Sequence, residues 1–236
     1  DTGMADEGVV AIENSIEGSV NDTLDLLIHE SNLVIRREVV LPINHCLLVK
    51  PGVKAAEVKA IYSHPQALGQ CRRFLERCFP KAQVIAALST TAAVEEMLSS
   101  EVTTAAIGTQ RAAVLYGAEL LARGIQDRSS NVTRFVVLAP TDHSPTGSDK
   151  TSLSFYIAED RPGSLCDVLQ EFSQREINLT KIESRPSKDA PWRYFFLVDL
   201  EGHKEDPVVA EALARVRDKT ELLKVFGSYP RHVDAP

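Results

Sequence analysis

Apolar and polar positions change period several times along the chain. Residues 8–12 (GVVAI) form a short continuous apolar run of the kind a buried strand shows. After it the spacing lengthens: Leu24, Leu27 and Ile28 recur at helical intervals, with Ser19 placed as an N-cap and Asp22 three residues on. The same reading predicts strands over 33–40, 45–49 and 60–62, then a helix over 65–79 with Leu68, Cys71, Phe74, Leu75 and Cys78 on its inner face. A strand over 83–87, a helix over 91–100, a strand over 105–107, a helix over 110–123 and a strand over 134–138 complete this half. Strands alternating with helices imply an α/β sandwich with a mostly parallel sheet, in which sites lie beyond the carboxyl ends of strands.

The pattern then pauses. Residues 139–150 (APTDHSPTGSDK) are rich in Pro, Ser, Thr, Asp and Gly, a linker signal. It restarts with a strand over 151–158, a helix over 163–176, strands over 179–186 and 194–202, a helix over 207–222 and a strand over 223–229. That order is βαββαβ, a ferredoxin-like unit. The expected division is 1–139 for the first domain, 140–150 for the linker, 151–231 for the second domain and 232–236 for a tail.

Composition changes this picture little. A chain of 236 residues, 44% hydrophobic and 25% charged, is an ordinary globular protein with room for two domains. Its formal charge of -7 and the lack of a basic run argue against a nucleic-acid partner. No apolar run reaches the length a membrane span needs, and no signal peptide is visible, so the expected location is cytoplasmic. Of the four cysteines, Cys71 and Cys78 lie seven apart on one expected helix, which puts them roughly 10 Å apart along its axis and out of reach of a disulfide. There is no CxxC or Cys/His cluster; reduced thiols and no metal are the expectation. The sequence enters a fold already under way at Asp1, and residues upstream are expected.

An acidic protein can still hold an anion at helix N-termini, where unpaired backbone N–H groups and the dipole point outward. Three such mouths stand out: ENSIEGSV (Glu13 to Val20), SHPQALGQ (Ser63 to Gln70) and LSTTAAVEEM, where Ser89, Thr90 and Thr91 open a helix. In the second, Ser63 as N-cap, Gln66 three residues later and Pro65 in the first turn fit a capping box. Ordinary capping explains each mouth equally well when read alone. A fourth feature is NVTRF, Asn131 to Phe135, where a polar triplet enters an apolar strand and Thr133 stands at its entrance beside Arg134. Alone, that is also a β-branched strand residue next to a surface arginine.

Together, ENSIEGSV, SHPQALGQC, the STTAAV helix start, YGAELLARGIQD and NVTRF resemble, in order and spacing, the prephenate dehydratase family. Residues 151–231 resemble an ACT domain, with PGSL in the first helix turn and INLTKIESRP in the second strand. The resemblance implies a two-lobed, periplasmic-binding-protein-like catalytic domain with its site in the cleft, followed by the ferredoxin-like regulatory unit. It places the family's essential threonine on Thr133, its cleft asparagine on Asn14, and its serine and glutamine on Ser63 and Gln70. Ser15, Gln66, Ser89, Thr90 and Arg134 follow as lining residues. The implied reaction is decarboxylating dehydration of prephenate to phenylpyruvate, in phenylalanine biosynthesis, with no cofactor. The family's Gly-Pro-x-Gly-Thr-Phe segment is absent, so one lobe is expected to be incomplete as written.

For the second half the resemblance implies L-phenylalanine bound where two copies pair, in a homodimer or homotetramer. Gly163 and Ser164 would meet its carboxylate, Asn178 its ammonium, and Leu165 and Leu179 its ring, with Glu183, Ser184, Arg185 and Pro186 shaping the site. Read alone, Glu183 and Arg185 are a surface ion pair. Rival readings are an arogenate dehydratase, which takes the amino analogue of the substrate; a non-catalytic phenylalanine-binding regulator; and a plain solute-binding protein, disfavoured by the missing signal peptide. An upstream chorismate mutase remains open.

Overall fold

A computed structural model describes residues 3–157, 161–187 and 193–232; the expected strand end at 158 and tail residues 233–236 lie outside the described residues. In chain order the elements are β1 (Gly8–Asn14), the two-residue β2 (Gly18–Ser19), α1 (Asn21–His29), β3 (Val34–Pro42), β4 (Cys46–Val49), β5 (Ala60–Ser63), α2 (Pro65–Gln70) and α3 (Arg72–Cys78). There follow β6 (Gln83–Ala86), α4 (Thr90–Ser99), β7 (Thr104–Gly108), α5 (Gln110–Tyr116), β8 (Glu119–Arg123) and β9 (Val132–Ala139). The last elements are β10 (Asp149–Tyr156), α6 (Ser164–Ser173), β11 (Leu179–Pro186), β12 (Tyr194–Glu201), α7 (Pro207–Lys219) and β13 (Leu222–Pro230). They form two compact units, residues 1–41 with 133–236, and residues 42–132.

In the first unit, a sheet of order β2-β1-β9-β3 and a second of order β11-β12-β10-β13 lie together. The second is the expected βαββαβ unit, with β10 antiparallel to β12 and β13, and β11 antiparallel to β12. Period-2 alternation gives its strands two apolar faces. On one face Leu153, Phe155, Val198 and Leu200 pack with Val168 and Phe172 of α6 and with Val209, Ala212 and Val216 of α7. On the other, Tyr156, Phe195, Leu197, Phe226 and Tyr229 share a core with Ile12 of β1, Leu24, Leu27 and Ile28 of α1, Ile35 of β3 and Val136 of β9. The residues 140–150 therefore connect β9 to β10 inside one unit. Gly227 marks the closest approach: a Cβ there would overlap the backbone of Ile35, 2.8 Å from its nitrogen, and the residue's φ of +144° is itself glycine territory.

The second unit is a single sheet of order β6-β5-β7-β4-β8. It is mixed, where a mostly parallel sheet was expected: β5 runs parallel to β6 and β7, but β4 runs antiparallel to β7 and β8. Leu48 and Ala106 face α4 and α5, while Leu47, Ile61, Ala105 and Ile107 face α2 and α3.

Two expected helices are shorter than the periodicity suggests. That over 65–79 breaks at Cys71 (φ −113°, ψ 14°) into α2 and α3. That over 110–123 stops at Tyr116, where Gly117 adopts the left-handed conformation that closes a helix, and the chain leaves as β8. Two expected caps are also replaced. Val20, which offers no side-chain bond, caps α1, because the Ser19 hydroxyl is engaged by Glu183. His64 caps α2 by accepting from the Gln66 N–H, because the Ser63 hydroxyl is buried against Ile107.

Candidate active site

In the first unit, β1 and β9 run antiparallel with Asn14 opposite Thr133 and Glu13 opposite Arg134. The chain turns sharply after Asn14, and the Asn14 side chain makes the turn: its Oδ1 accepts from the backbone N–H of Ile16 at 3.0 Å and of Glu17 at 3.1 Å. With Oδ1 so occupied, the amide has one orientation, and Nδ2 donates to Thr133 Oγ1 at 2.8 Å. This fixes the polarity of the threonine. Its oxygen accepts from the amide, so its own proton points elsewhere, and among the described residues no acceptor takes it. An N–H donated to Oγ1 also stabilises negative charge that develops there when the proton is given up. Ser15 is exposed on the turn that Asn14 builds.

Arg134 is a different case from the one expected. Neighbouring strand residues point to opposite faces, and the Arg134 guanidinium enters a buried ionic group instead of lining a site with Thr133. Nε meets Glu38 at 2.8 Å, Nη1 meets Asp199 at 2.6 Å and Glu13 at 3.6 Å, and Nη2 donates to Tyr229 Oη at 2.7 Å. Burial works against its charge, but Tyr229, Asp199 and Glu38 outweigh burial and hold the guanidinium above its ordinary value. Burial, reinforced by the Asp199 carboxylate, pushes the Tyr229 phenol upward, so it stays protonated.

In the second unit the Gln70 carbonyl accepts from Asn131 Nδ2 at 2.9 Å and faces His45 Nε2, also at 2.9 Å. Two donors on Oε1 put the proton of His45 on Nε2 and turn the Gln70 amide nitrogen away from them both. The backbone N–H of His45 is held in turn by Gln126 Oε1 at 3.0 Å. His45 and Asn131 are buried and were not among the expected site residues; Asn131 opens the NVTRF motif and could have been, while His45 carries no sequence signal. Ser63 is fully buried and donates to the Ile107 carbonyl at 2.9 Å, so its hydroxyl bolts β5 to β7 and is not presented outward. Ser89 caps α4 by accepting from Ala92 N–H at 2.9 Å, with Thr90 as the first helical residue, and Gln66 is exposed in the first turn of α2.

The expected phenylalanine residues fall into three places. Gly163 (φ +93°) caps α6, and Ser164 lines an open hollow of about 550 Å³ with Arg161, Asp167 and Lys219; Leu165 is half-buried beside the α6–α7 core. Asn178 and Leu179 line a second hollow of about 420 Å³ with Leu169 and Phe172. Glu183 and Arg185 form a half-buried ion pair at 4.0 Å, not an exposed one, and line neither hollow. Their side chains face β2 and α1: Glu183 accepts from Ser19 Oγ at 2.5 Å, and Arg185 binds Asp25 at 2.6 Å and Asn21. Ser184 and Pro186, alternating with them, are exposed.

The Asn14–Thr133 pair thus stands on a strand backed by a ferredoxin-like sheet, in a chain of the α/β class. The prephenate dehydratase family model matches residues 1–143 and the ACT domain model residues 151–218. The chain belongs to the prephenate dehydratase family. It is similar to a bifunctional chorismate mutase/prephenate dehydratase of Aquifex aeolicus (strain VF5), 49% identical over 232 residues, which cover 98% of this chain and 63% of that protein. Arogenate dehydratase 1 of Petunia hybrida is 40% identical over 242 residues, covering 96% of this chain and 57% of that protein. A crystal structure of a prephenate dehydratase from Arthrobacter aurescens in complex with L-Phe matches with a TM-score of 0.89 at 37% identity, covering 99% of this chain and 79% of that one. The chain spans under two thirds of the length of the first of these curated relatives.

Proposed function

We propose that the chain converts prephenate to phenylpyruvate under control of L-phenylalanine, with residues 1–139 catalytic, 140–150 a linker and 151–231 regulatory. The observation that carries the reading is the Asn14–Thr133 pair, whose geometry leaves a hydroxyl proton available for donation. The reaction asks for little else. The electron pair of the ring-carbon–carboxylate bond completes the aromatic ring, the C–O bond to the ring hydroxyl breaks, and the departing hydroxide takes one proton to leave as water beside CO2. Thr133 supplies that proton and recovers it from solvent. The helix start at Ser89 and Thr90 and the donors of Gln70 and Gln66 are assigned to the substrate carboxylates, as neutral N–H donors suited to an acidic protein. No step of this scheme calls for a metal.

The test is phenylpyruvate formation from prephenate by the parent and by Thr133→Val, which keeps shape and removes the proton. A loss of about 10²–10⁴ in kcat is expected for a general acid; near-parental turnover by the variant would remove Thr133 from the mechanism. The 40% identity to a protein named arogenate dehydratase favours running arogenate alongside; a higher kcat/KM for it would reassign the substrate and leave the chemistry as argued. Phenylalanine bound without any turnover would leave a non-catalytic sensor. The same reading assigns a homodimer or homotetramer, paired through the ACT unit, with no nucleic-acid partner. It also assigns a cytoplasmic location, supported by four free thiols and by the absence, among the described residues, of a helix long and apolar enough to cross a membrane.

A further inference from the structure

Asn14 and Thr133 lie opposite each other on β1 and β9, and so do their chain neighbours Glu13 and Arg134. Strand alternation sends the first pair to one face of the sheet and the second pair to the other. On that other face both charged residues are held by the ACT sheet. Arg134 is held from β12 and β13, by Asp199 and Tyr229, and Ser152 of β10 bridges those two at 2.5 Å each. Glu13 is held from β11: Lys181 Nζ lies 3.3 Å from its Oε2 and also donates to Ser19 Oγ, while Glu183 accepts from the same Ser19. Ser19 is itself the β2 partner of Glu13, and Gly18 that of Asn14. Glu38 of β3, with a side chain only 1% exposed, closes the group by accepting from Lys150 of β10 at 3.0 Å and pairing with Arg134.

We propose that Glu13 and Arg134 are positioning residues through which the ACT sheet sets the alignment of Asn14 with Thr133. Neither touches the reacting atoms. Each fixes, through one peptide unit, the strand position of a residue that does. Buried ion pairs of this kind are poor sources of net stability against apolar replacements, and their best-attested use is to fix one register. Here the register fixed is that of β1 on β9, and the fixing groups come from β10, β11, β12 and β13. A ligand that displaces β11 or β12 by a fraction of an ångström moves Glu13 or Arg134, and with them the 2.8 Å bond on which the threonine's polarity depends. The link rests on the functional reading above, because it concerns how phenylalanine changes turnover.

The experiment uses the full chain and measures kcat and KM for prephenate with and without saturating L-phenylalanine, together with direct binding of L-phenylalanine. The variants are Glu13→Gln, Lys181→Gln, their double and Asp199→Asn. Glu13 and Lys181 are partly exposed, so the first two keep the fold testable if Asp199→Asn does not fold. The expected result is that each single variant cuts the factor by which phenylalanine changes kcat/KM at least fivefold, with phenylalanine's own affinity in the absence of substrate within twofold of the parent. By reciprocity, the effect of substrate on phenylalanine affinity falls by the same factor. The double loses no more than the larger single, because both residues belong to one link. A purely structural role would lower stability and leave that factor unchanged. Variants that keep the parental factor within twofold overturn the coupling while leaving the catalytic reading intact. A parent that turns over no prephenate overturns the catalytic reading and the coupling with it.

Discussion

Asn14→Asp puts the proposed chemistry under the most direct strain, because it changes polarity and almost nothing else. In the parent the amide oxygen is held by the Ile16 and Glu17 N–H groups, and the amide nitrogen donates to Thr133 Oγ1 at 2.8 Å. A carboxylate of the same shape keeps both backbone bonds, so the turn and the fold persist. Its second oxygen, however, is an acceptor where a donor stood, and the Thr133 hydroxyl must turn to donate to it. The proton that should reach the leaving hydroxide is then held in a charge-assisted bond, whose rupture costs about 1.5–3 kcal/mol. At 1.36 kcal/mol per decade this alone lowers kcat about 10- to 150-fold. The negative charge beside a departing hydroxide adds to the loss, towards the roughly 10⁴ ceiling of a general acid. Lowering the pH restores the original polarity, since a protonated carboxyl can donate to Oγ1. The activity of the variant relative to the parent should therefore rise as the pH falls through the new carboxyl's pKa. The assay is phenylpyruvate release across a pH series, with thermal melting as the control for folding. Parental kcat at neutral pH, or a variant-to-parent ratio that does not change with pH, would refute the assigned direction of the Asn14–Thr133 bond.

The remaining predictions concern stability and reactivity. Gly227→Ala drives a methyl group into the Ile35 backbone at a φ of +144°, and strain plus overpacking should cost about 2–4 kcal/mol in urea unfolding; a change below 1 kcal/mol would mean that β13 does not press on β3. Ellman's reagent should find Cys78 and Cys166 quickly in the folded chain, and Cys46 and Cys71 only after denaturation, because both are buried and burial pushes the Cys71 thiol up to about 12. Asp149 is buried, which alone would raise its pKa, yet bonds from Thr146 Oγ1 and the Thr146 and Gly147 N–H groups hold it below the ordinary aspartate value. Its contribution is therefore complete above about pH 4 and disappears as pH falls through the lower folded value; Asp149→Asn should flatten the acid end of a melting-temperature profile, and an unchanged slope would count against those bonds.

Much of the fold was legible because hydrophobic period survives tertiary packing. The βαββαβ order could be read from 151 onward because β10, β12 and β13 each supply apolar residues both to the helix-covered core and to the core shared with the first sheet. Where the reading failed, a local signal was outweighed by one that distance in sequence conceals. Gly117 was visible, but the apolar residues after it fit a continuing helix as well as β8, and only the pairing of Cys46 through Val49 with Glu119 through Arg123 decides between them. Ser19 and Ser63 have the right chemistry for caps and are used elsewhere, because Glu183 lies 164 positions from Ser19 and Ile107 lies 44 from Ser63. The site divides in the same way. Motifs draw attention to Thr133 and Asn14, but the direction of their hydrogen bond could not be read from them, since it depends on which atoms the turn after Asn14 occupies. Arg134 is the clearest case. Adjacent to Thr133 in sequence, it invites a role in the same chemistry, yet one step along a strand is a change of face. The guanidinium is surrounded by Glu38, Asp199 and Tyr229, 96 residues back and 65 and 95 residues onward. A motif such as NVTRF therefore carries two messages at once: Thr133 meets Asn14 on one face of the strand, and Arg134 meets on the other the groups that hold the strand in place.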